Sequence, residues 1–184
     1  MTFHFHFEQT LQASACLLRL DGKRMGSLRL LKLLYIADRE WLAETGEPIT
    51  GDRPYALKYG PVLSNVYDLI KGNGSRAGEW DDHIHTEGYA VSLVADPGRG
   101  MLSKGIVTKL TEVTERYIQI DDWELSEKTH EFPEWSSHFS GWRGSSPIPW
   151  QDILAAQGKA DMIPAIERDE TARQVFDDVF GPEP

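Results

Sequence analysis

The two histidine pairs are the residues whose type and spacing come nearest to metal-binding chemistry. His4 and His6, like His83 and His85, are separated by one residue, so both side chains of a pair would point to the same face of a strand. The pairs would form a metal site if their strands met in one sheet. A metal hydrolase usually adds carboxylate ligands at fixed spacing, and the sequence has no H-E-x-x-H or comparable set. We therefore favour solvated or hydrogen-bonded histidines and predict no cofactor.

A second candidate lies in the segment LRLLKLLYIADREWLAE, where Lys32, Tyr35 and Asp38 recur every three residues. On a helix this spacing places them along one stripe. Two interpretations stay open. In one, Lys32 extends its ammonium group from the core edge to solvent and Tyr35 is a core aromatic with a satisfied hydroxyl. In the other, the stripe is a polar patch in a groove that receives a partner.

A third candidate is the proline-containing corner HEFPEW, which is flanked by His130 and Trp135. A buried Trp135 would anchor the corner, and the imidazole would need a hydrogen-bond partner. Catalysis by His130 is disfavoured because no nucleophile is identifiably paired with it. The sequence also has no G-x-S-x-G elbow, Walker loop or dinucleotide fingerprint. We therefore predict that the chain is not an enzyme.

The elements that must position these residues are mostly helices. Apolar periodicity and capping residues predict helices over 8–20, from an N-cap at Ser27 to about 45, and over segments that begin near 103, 122, 150 and 163. Pro61 is expected in the first turn of another helix. Phe3, Phe5 and Phe7 predict a short strand, glycines at 72, 74 and 78 a flexible link, and Glu87-Gly88 the turn of a hairpin. The predicted class is mainly α, a compact helical bundle with a small β-hairpin or sheet, and the second helix is apolar enough for its middle.

Composition limits the class of partner and compartment. The 184 residues suit one domain, and 19 basic against 29 acidic side chains give a formal charge of −10, which makes nucleic acid an unlikely partner. A partner steered by charge would be basic. No apolar run is long enough to cross a membrane, and the first residues do not resemble a secretory leader. Cys16 is the lone cysteine, so we expect a reducing compartment, the cytosol.

Three segments together resemble the Panacea domain, the family of SocA-like antitoxins: LLKLLYIADREWL, EPITGDRPYALKYGPVLSNVYDLI and LSEKTHEFPEW. Their order and spacing, with FHFEQTLQASACLL before them and SSPIPWQDILAAQG after them, extend the resemblance over about residues 5–158. Residues 159–184 form a helical acidic extension, whose Asp177, Asp178, Val179 and Phe180 we assign to contacts with the chain's own partner. The extra proline of DRPYA and Leu63 after GPV depart from the family pattern.

The resemblance implies a compact, mainly helical fold that neutralises a toxin by direct binding, without a cofactor or a reaction. In one branch of the family the toxin is delivered to a protease. Matching positions in this sequence are Lys32, Leu33, Leu34, Tyr35, Asp38, Pro48, Thr50, Gly51, Asp52, Gly60, Pro61, Val62, Ser64, Tyr67, His130, Glu134 and Trp135.

We therefore predict an antitoxin that binds a cognate toxin encoded by an adjacent gene, through the second helix, the 46–62 loop and the 130–135 corner. The partner-binding candidates are Lys32, Tyr35, Asp38, Asp52, Tyr59, Gly60, Pro61, Tyr67, His130 and Trp135. The first alternative is an adaptor that delivers its client to a protease, and the second is a metal enzyme built on the four paired histidines. A transcriptional regulator ranks last, since no basic recognition helix is visible.

Overall fold

The computed structural model describes the backbone of residues 1–141 and 144–180 and the side chains of 1–141 and 144–172. Helices hold 55% of the residues, and the strands form two small antiparallel sheets. The predicted class, mainly α with a minor β element, is confirmed. Across the described ranges, no helix is both long enough and apolar enough to cross a membrane.

The long helices begin and end close to where apolar periodicity places them. In chain order the helices are α1 (Phe7–Leu20), α2 (Ser27–Thr45), α3 (Ser64–Ile70), α4 (Ala77–Asp81), α5 (Lys104–Tyr117), α6 (Asp122–His130), α7 (Pro133–His138), α8 (Trp150–Ala156) and α9 (Ile163–Phe180). A 3-10 turn, Ala160–Met162, precedes α9. The N-cap of α2 is Gly26, one residue before the predicted Ser27, and its C-cap is Gly46, in the left-handed conformation that glycine adopts without strain.

Helix α2 is the central element of the core. It packs against α1, α5, α6, α8 and a strand, β3 (Gly60–Leu63). Because neighbours surround it, apolar side chains occur on nearly every side of the helix, and Leu30, Leu33 and Leu34 are fully buried. The polar residues of the same helix must therefore find their partners inside the protein or at the edges of the core.

The first sheet has the strand order β1-β5-β4, in which β1 is Arg24–Gly26, β4 is Ile84–Glu87 and β5 is Ala90–Leu93. Strands β4 and β5 form the predicted hairpin, with Glu87 opposite Ala90. The pattern did not predict β1, which has only three residues and places Met25 opposite Val91. This pairing holds the start of α2 beside the hairpin.

The second sheet has the order β3-β2-β6, in which β2 is Pro54–Leu57 and β6 is Ser146–Pro147. The prediction that Pro61 begins a helix is wrong: Pro61 lies in β3 opposite Ala56, and α3 begins at Ser64. Strand β3 is at the edge of the sheet, where a residue without an amide hydrogen is tolerated. The β2–β3 hairpin that results carries Lys58 and Tyr59 at its turn.

The predicted N-terminal strand is also wrong, since residues 1–6 pair with no strand. The alternation of burial is nevertheless present: Phe3 and Phe5 are half-buried, whereas His4 and His6 are exposed. The segment lies against the 46–52 loop, where the His6 amide donates to the Thr50 carbonyl at 2.9 Å. A loop offers no continuous row of backbone groups, so the alternation reflects packing rather than sheet formation.

Three other predictions remain, and one of them is wrong. The segment expected to be a flexible glycine link contains α4, which is anchored by the buried Trp80. The side chains of Asp177, Asp178, Val179 and Phe180 lie outside the described residues, so their assignment to a partner stays a prediction. The single-domain organisation also stays a prediction.

Candidate functional site

The predicted stripe on α2 is fully buried: Lys32, Tyr35 and Asp38 each have 0% exposure. Lys32 Nζ donates to the Pro61 carbonyl at 2.7 Å, so the ammonium group reaches the β2–β3 hairpin and not solvent. Burial lowers the pKa of Lys32 to about 7, because removing the charged form from water costs free energy. The hairpin thus occupies the place where the groove interpretation would put a partner, and the solvent-directed lysine of the other interpretation is not observed.

Gly60 makes this contact between hairpin and helix possible. Its φ of 90° belongs to the left-handed region, and a Cβ placed on it would lie 2.3 Å from Thr129 Oγ1 and 2.9 Å from Lys32 Nζ. Both the backbone conformation and the lack of space therefore require glycine at this position. Gly60 and Pro61 act here through their backbone.

Tyr35 takes part in a buried ion pair that links α2 to α7. Its hydroxyl donates to Glu134 Oε1 at 3.1 Å, and Arg39 Nε donates to the same oxygen at 2.5 Å. Burial and the adjacent Glu134 carboxylate raise the pKa of Tyr35 well above its usual value. The Phe132 ring stacks on the Tyr35 ring, and its centroid lies 4.3 Å from the Arg39 guanidinium carbon. These contacts fix the 130–135 corner against α2.

Two buried aspartates organise the 46–52 loop and its contact with α3. Asp38 accepts hydrogen bonds from the Thr50 amide, at 2.9 Å, and from the Thr50 hydroxyl. Burial raises the pKa of Asp38 to about 7 despite these bonds. Asp52 accepts from the amides of Asn65 and Val66, each at 3.0 Å, and so caps the first turn of α3 from a different segment of the chain.

We call Lys32, Tyr35, Asp38, Asp52 and Glu134 the buried polar cluster. Its side chains hydrogen-bond one another or the backbone of neighbouring segments, and those of Lys32, Tyr35, Asp38 and Asp52 have no exposed surface. Direct binding of a partner through these four residues stays a prediction. It would require the fold to open, because a partner cannot reach them in this conformation.

The surface beside the cluster is aromatic. Tyr59, at the β2–β3 turn, is 43% exposed, and Trp123, in the first turn of α6, is 56% exposed. Their rings form an edge-to-face pair with centroids 5.3 Å apart. The Ser126 hydroxyl, one turn further along α6, donates to the Tyr59 carbonyl at 2.8 Å and holds the hairpin turn on the helix. This exposed aromatic pair is therefore attached to a rigid support.

A stack of rings continues from the other end of α6. The centroid of the His130 ring lies 4.1 Å from that of the Trp135 ring, and the Trp135 centroid lies 4.7 Å from that of Phe139. Trp135 Nε1 donates to the Leu57 carbonyl at 3.0 Å, so the stack contacts the same hairpin as Tyr59. We call Tyr59, Trp123, His130, Trp135 and Phe139 the aromatic strip.

His130 is the member of the strip with an unusual polar environment. Its Nε2 is buried and has no hydrogen-bond partner within the described part of the chain, while Nδ1 lies 3.6 Å from a Glu127 oxygen. Burial lowers the pKa of His130, and the Lys32 charge lowers it further. No Ser, Thr or Cys nucleophile is hydrogen-bonded to this imidazole among the residues that the structure describes.

The remaining candidates lie elsewhere. Tyr67, on α3, is half-buried beneath the Lys71 ammonium group, which is 4.1 Å from the ring centroid. His83 Nδ1 lies 3.3 Å from the Ala95 carbonyl and His85 Nδ1 lies 2.9 Å from Asp81. The described residues contain no group of three or more His, Cys, Asp or Glu side chains that could hold a metal ion. The histidine pairs do not meet across a sheet, because no strand forms at the N-terminus.

A polar cleft lies at the end of α2 away from the hairpin. Four of its charged side chains pair with one another: Lys109 Nζ is 2.6 Å from Glu44 and 3.4 Å from Glu40, and the Arg116 guanidinium contacts Glu40 as well. The lining residues are Glu40, Ala43, Glu44, Lys109, Arg116, Gln157 and Lys159. The paired charges are typical of a surface that joins two helices.

Sequence reasoning missed Trp123 and undervalued Glu134. Trp123 lies between acidic residues in DDWE, outside the buried face of α6 that contains Leu125 and Thr129. These two features of the sequence indicate that Trp123 is exposed. In the sequence, Glu134 stands out only as a position that matches the family. Its contact with Tyr35 joins residues 99 apart in the chain and leaves no local pattern.

Comparison with known proteins identifies the family to which this chain belongs. The model of the family described as "Antitoxin SocA-like, Panacea domain" matches residues 30–136, which run from the first turn of α2 into α7 and include all ten predicted site residues. Neither the curated proteins nor the solved structures give a significant match. The match covers more than half of the chain, and the resemblance noted in the sequence is confirmed: the chain belongs to the SocA-like antitoxins with a Panacea domain.

Proposed function

We propose that this chain neutralises a cognate toxin, encoded by a neighbouring gene, by binding it directly in the cytosol. The observation that carries the proposal is the exposed Tyr59–Trp123 pair, which lies within the segment matched by the antitoxin family. Tyrosine and tryptophan are enriched among the residues that dominate the free energy of protein association. Their exposure here leaves apolar area that a partner would remove from water.

The buried polar cluster supports binding without catalysis. Its carboxylates, ammonium group and phenol are engaged inside the fold, where a substrate cannot contact them. The same contacts hold the hairpin, α6 and the 130–135 corner against α2. We infer that the cluster keeps the aromatic strip in one geometry, so that little conformational entropy is lost when the partner binds.

The aromatic pair would be the centre of a larger interface. A stable interface buries at least about 1,000 Å² in total, more than two side chains can supply. The neighbouring surface of α6, the β2–β3 turn and the outer edge of the His130–Trp135 stack would provide the remaining area. Of the predicted binding residues, Tyr59 and the half-buried His130 belong to this surface, whereas Trp135 is buried beneath it.

Co-expression with the product of the adjacent gene tests the proposal. We expect the two proteins to co-purify and the chain to restore the growth of cells that express the toxin. Replacing both Tyr59 and Trp123 by alanine should weaken the complex by roughly tenfold or more. Met101→Ala, which removes a side chain of similar exposure, 53%, from the loop before α5, is the matched control and should bind normally.

Absence of a complex and of rescue would contradict the proposal. A complex that survives the double substitution unchanged would move the binding surface away from the aromatic pair. The half-life of the partner distinguishes neutralisation from delivery to a protease: sequestration leaves it unchanged or longer, whereas an adaptor shortens it.

A further inference from the structure

The exposed Trp123 ring is set in a strongly acidic segment. Residues 121–131 contain five carboxylates and one lysine, a formal charge of −4. Four of these carboxylates, those of Asp121, Glu124, Glu127 and Glu131, belong to exposed residues. Glu127 lies one helical turn after Trp123 and therefore on the same side of α6. Lys58, over the adjacent Tyr59 ring, offsets one of these charges, and the remaining excess of carboxylates favours a positive charge near the indole ring.

The protein itself places a cation over one ring of this pair, that of Tyr59. Lys58 Nζ lies 4.7 Å from the centroid of the Tyr59 ring, within the range of a cation–π contact. Trp123 is the better ring for such a contact, and in the described ranges no Lys or Arg of this chain lies over it. Its face is open to a cation that comes from outside.

Charge also decides between the possible occupants of this surface. A second copy of the chain would bring another acidic α6, or another part of a molecule with a charge of −10, against these carboxylates. The phosphates of a nucleic acid would be repelled in the same way. A segment that carries arginine or lysine complements both the carboxylates and the aromatic faces.

We propose that the Tyr59–Trp123 end of the aromatic strip receives an arginine- or lysine-bearing segment of the partner protein, with one cation over the Trp123 ring and further positive charge facing Glu124 and Glu127. The proposal rests on the function proposed above and adds the chemistry of the partner's contact. Arginine suits the position better than lysine, because its planar, weakly hydrated guanidinium group stacks on an aromatic face.

The two parts of the surface have different roles. The ring and the stacked cation form a short-range contact, whose loss should raise the dissociation rate. The exposed carboxylates act at longer range and should chiefly raise the association rate, an effect that salt screens. A surface that binds only through apolar area would show neither the charge effect on association nor its dependence on salt.

The experiment measures binding kinetics between the full chain and the co-purified partner at 50 and 300 mM salt. Trp123→Leu keeps an apolar side chain but removes the aromatic face, and it should weaken binding about tenfold. The pair Glu124→Lys with Glu127→Lys should slow association about tenfold at 50 mM salt and much less at 300 mM.

The control pair Asp68→Lys with Asp82→Lys changes the net charge by the same amount at exposed sites on α3 and at the end of α4. Association that falls only for the Glu124 and Glu127 pair supports the proposal. Equal slowing by both pairs, or no slowing by either, overturns it while leaving the proposed function intact. A chain with no detectable complex overturns both proposals.

Far-ultraviolet circular dichroism and thermal midpoints identify any variant that fails to fold. If the pair Glu124→Lys with Glu127→Lys fails to fold, Glu124→Gln with Glu127→Gln replaces that pair.

Discussion

The buried polar cluster and the aromatic strip both contact the β2–β3 hairpin, but they differ in what water can reach. In the cluster, polar and charged groups of α2 are removed from solvent and bonded to segments far away in the chain, as Tyr35 is to Glu134. In the strip, Tyr59 and Trp123 keep about half of their surface exposed although they are large and apolar. Buried polar groups must be paired to be tolerated, whereas exposed aromatic groups gain free energy when a partner covers them. We therefore expect substitutions in the cluster to change stability and those of Tyr59 and Trp123 to change binding.

The largest effect is expected from Glu134→Ala, which breaks the buried ion pair. The Tyr35 hydroxyl would lose its acceptor in a buried place, and the partly buried Arg39 guanidinium would lose its carboxylate partner. We expect the free energy of unfolding to fall by about 3–5 kcal/mol. Urea denaturation measures it, and the exposed neighbour Glu131→Ala should change it by less than about 0.5 kcal/mol. A loss for Glu134→Ala as small as that of its neighbour would mean that the cluster is not structural.

Asp52→Ala should have the next largest effect. The amides of Asn65 and Val66 would lose the carboxylate that caps α3. We expect a loss of about 2 kcal/mol, with part of it recovered by Asp52→Asn, which keeps one acceptor oxygen. Asp68→Ala, on the exposed side of α3, is the control for thermal and urea unfolding. If the alanine and asparagine variants were equally stable, the capping role would be wrong.

The burial of Lys32 predicts how the free energy of unfolding depends on pH. Its pKa is about 7 in the folded chain and near 10.5 in the unfolded chain, so between these values the unfolded chain binds more protons. The free energy of unfolding should therefore rise with pH over this window, by about 2 kcal/mol between pH 7 and pH 9 for this group alone. Lys32→Met removes the titrating group and should lack that rise. Urea titrations of both proteins at the two pH values give the difference, and parallel pH dependence would show that Lys32 keeps an ordinary pKa.

The smallest effect on stability is expected from Trp123→Ala. The ring is more than half exposed and contacts chiefly Tyr59, so we expect a change of less than about 1 kcal/mol. The same substitution should weaken partner binding, which separates the two regions by measurement. A stability loss comparable to that of Glu134→Ala would place Trp123 among the structural residues and remove the contrast.

Local patterns predicted much of the fold. The helices α1, α2, α5 and α6 and the β4–β5 hairpin lie close to their predicted positions because each has its own periodicity, cap or turn residue. The errors occur where a distant segment decides the outcome. Pro61 suits the first turn of a helix, but pairing with β2 places it in a strand. Phe3 and Phe5 alternate like strand residues, but only a loop lies beside them.

In the candidate site, too, local spacing predicts some features and distant segments decide the others. The three-residue spacing of Lys32, Tyr35 and Asp38 correctly places them on one face of α2, yet spacing does not tell whether that face meets water or another part of the chain. The surroundings of Trp123 depend on where the β2–β3 turn lies, and hydrogen bonds from three other segments, those of Lys32, Ser126 and Trp135, hold the hairpin there.

By itself, the sequence determined the helical class, the main helix boundaries, the acidic charge and the family, because each depends on residue types or on neighbours a few positions apart. The tertiary structure alone decided which polar side chains are buried and which aromatic side chains are exposed. The reason is physical: the cost of burying Lys32 or Asp38 depends on partners that other segments bring to it, namely the Pro61 carbonyl and Thr50.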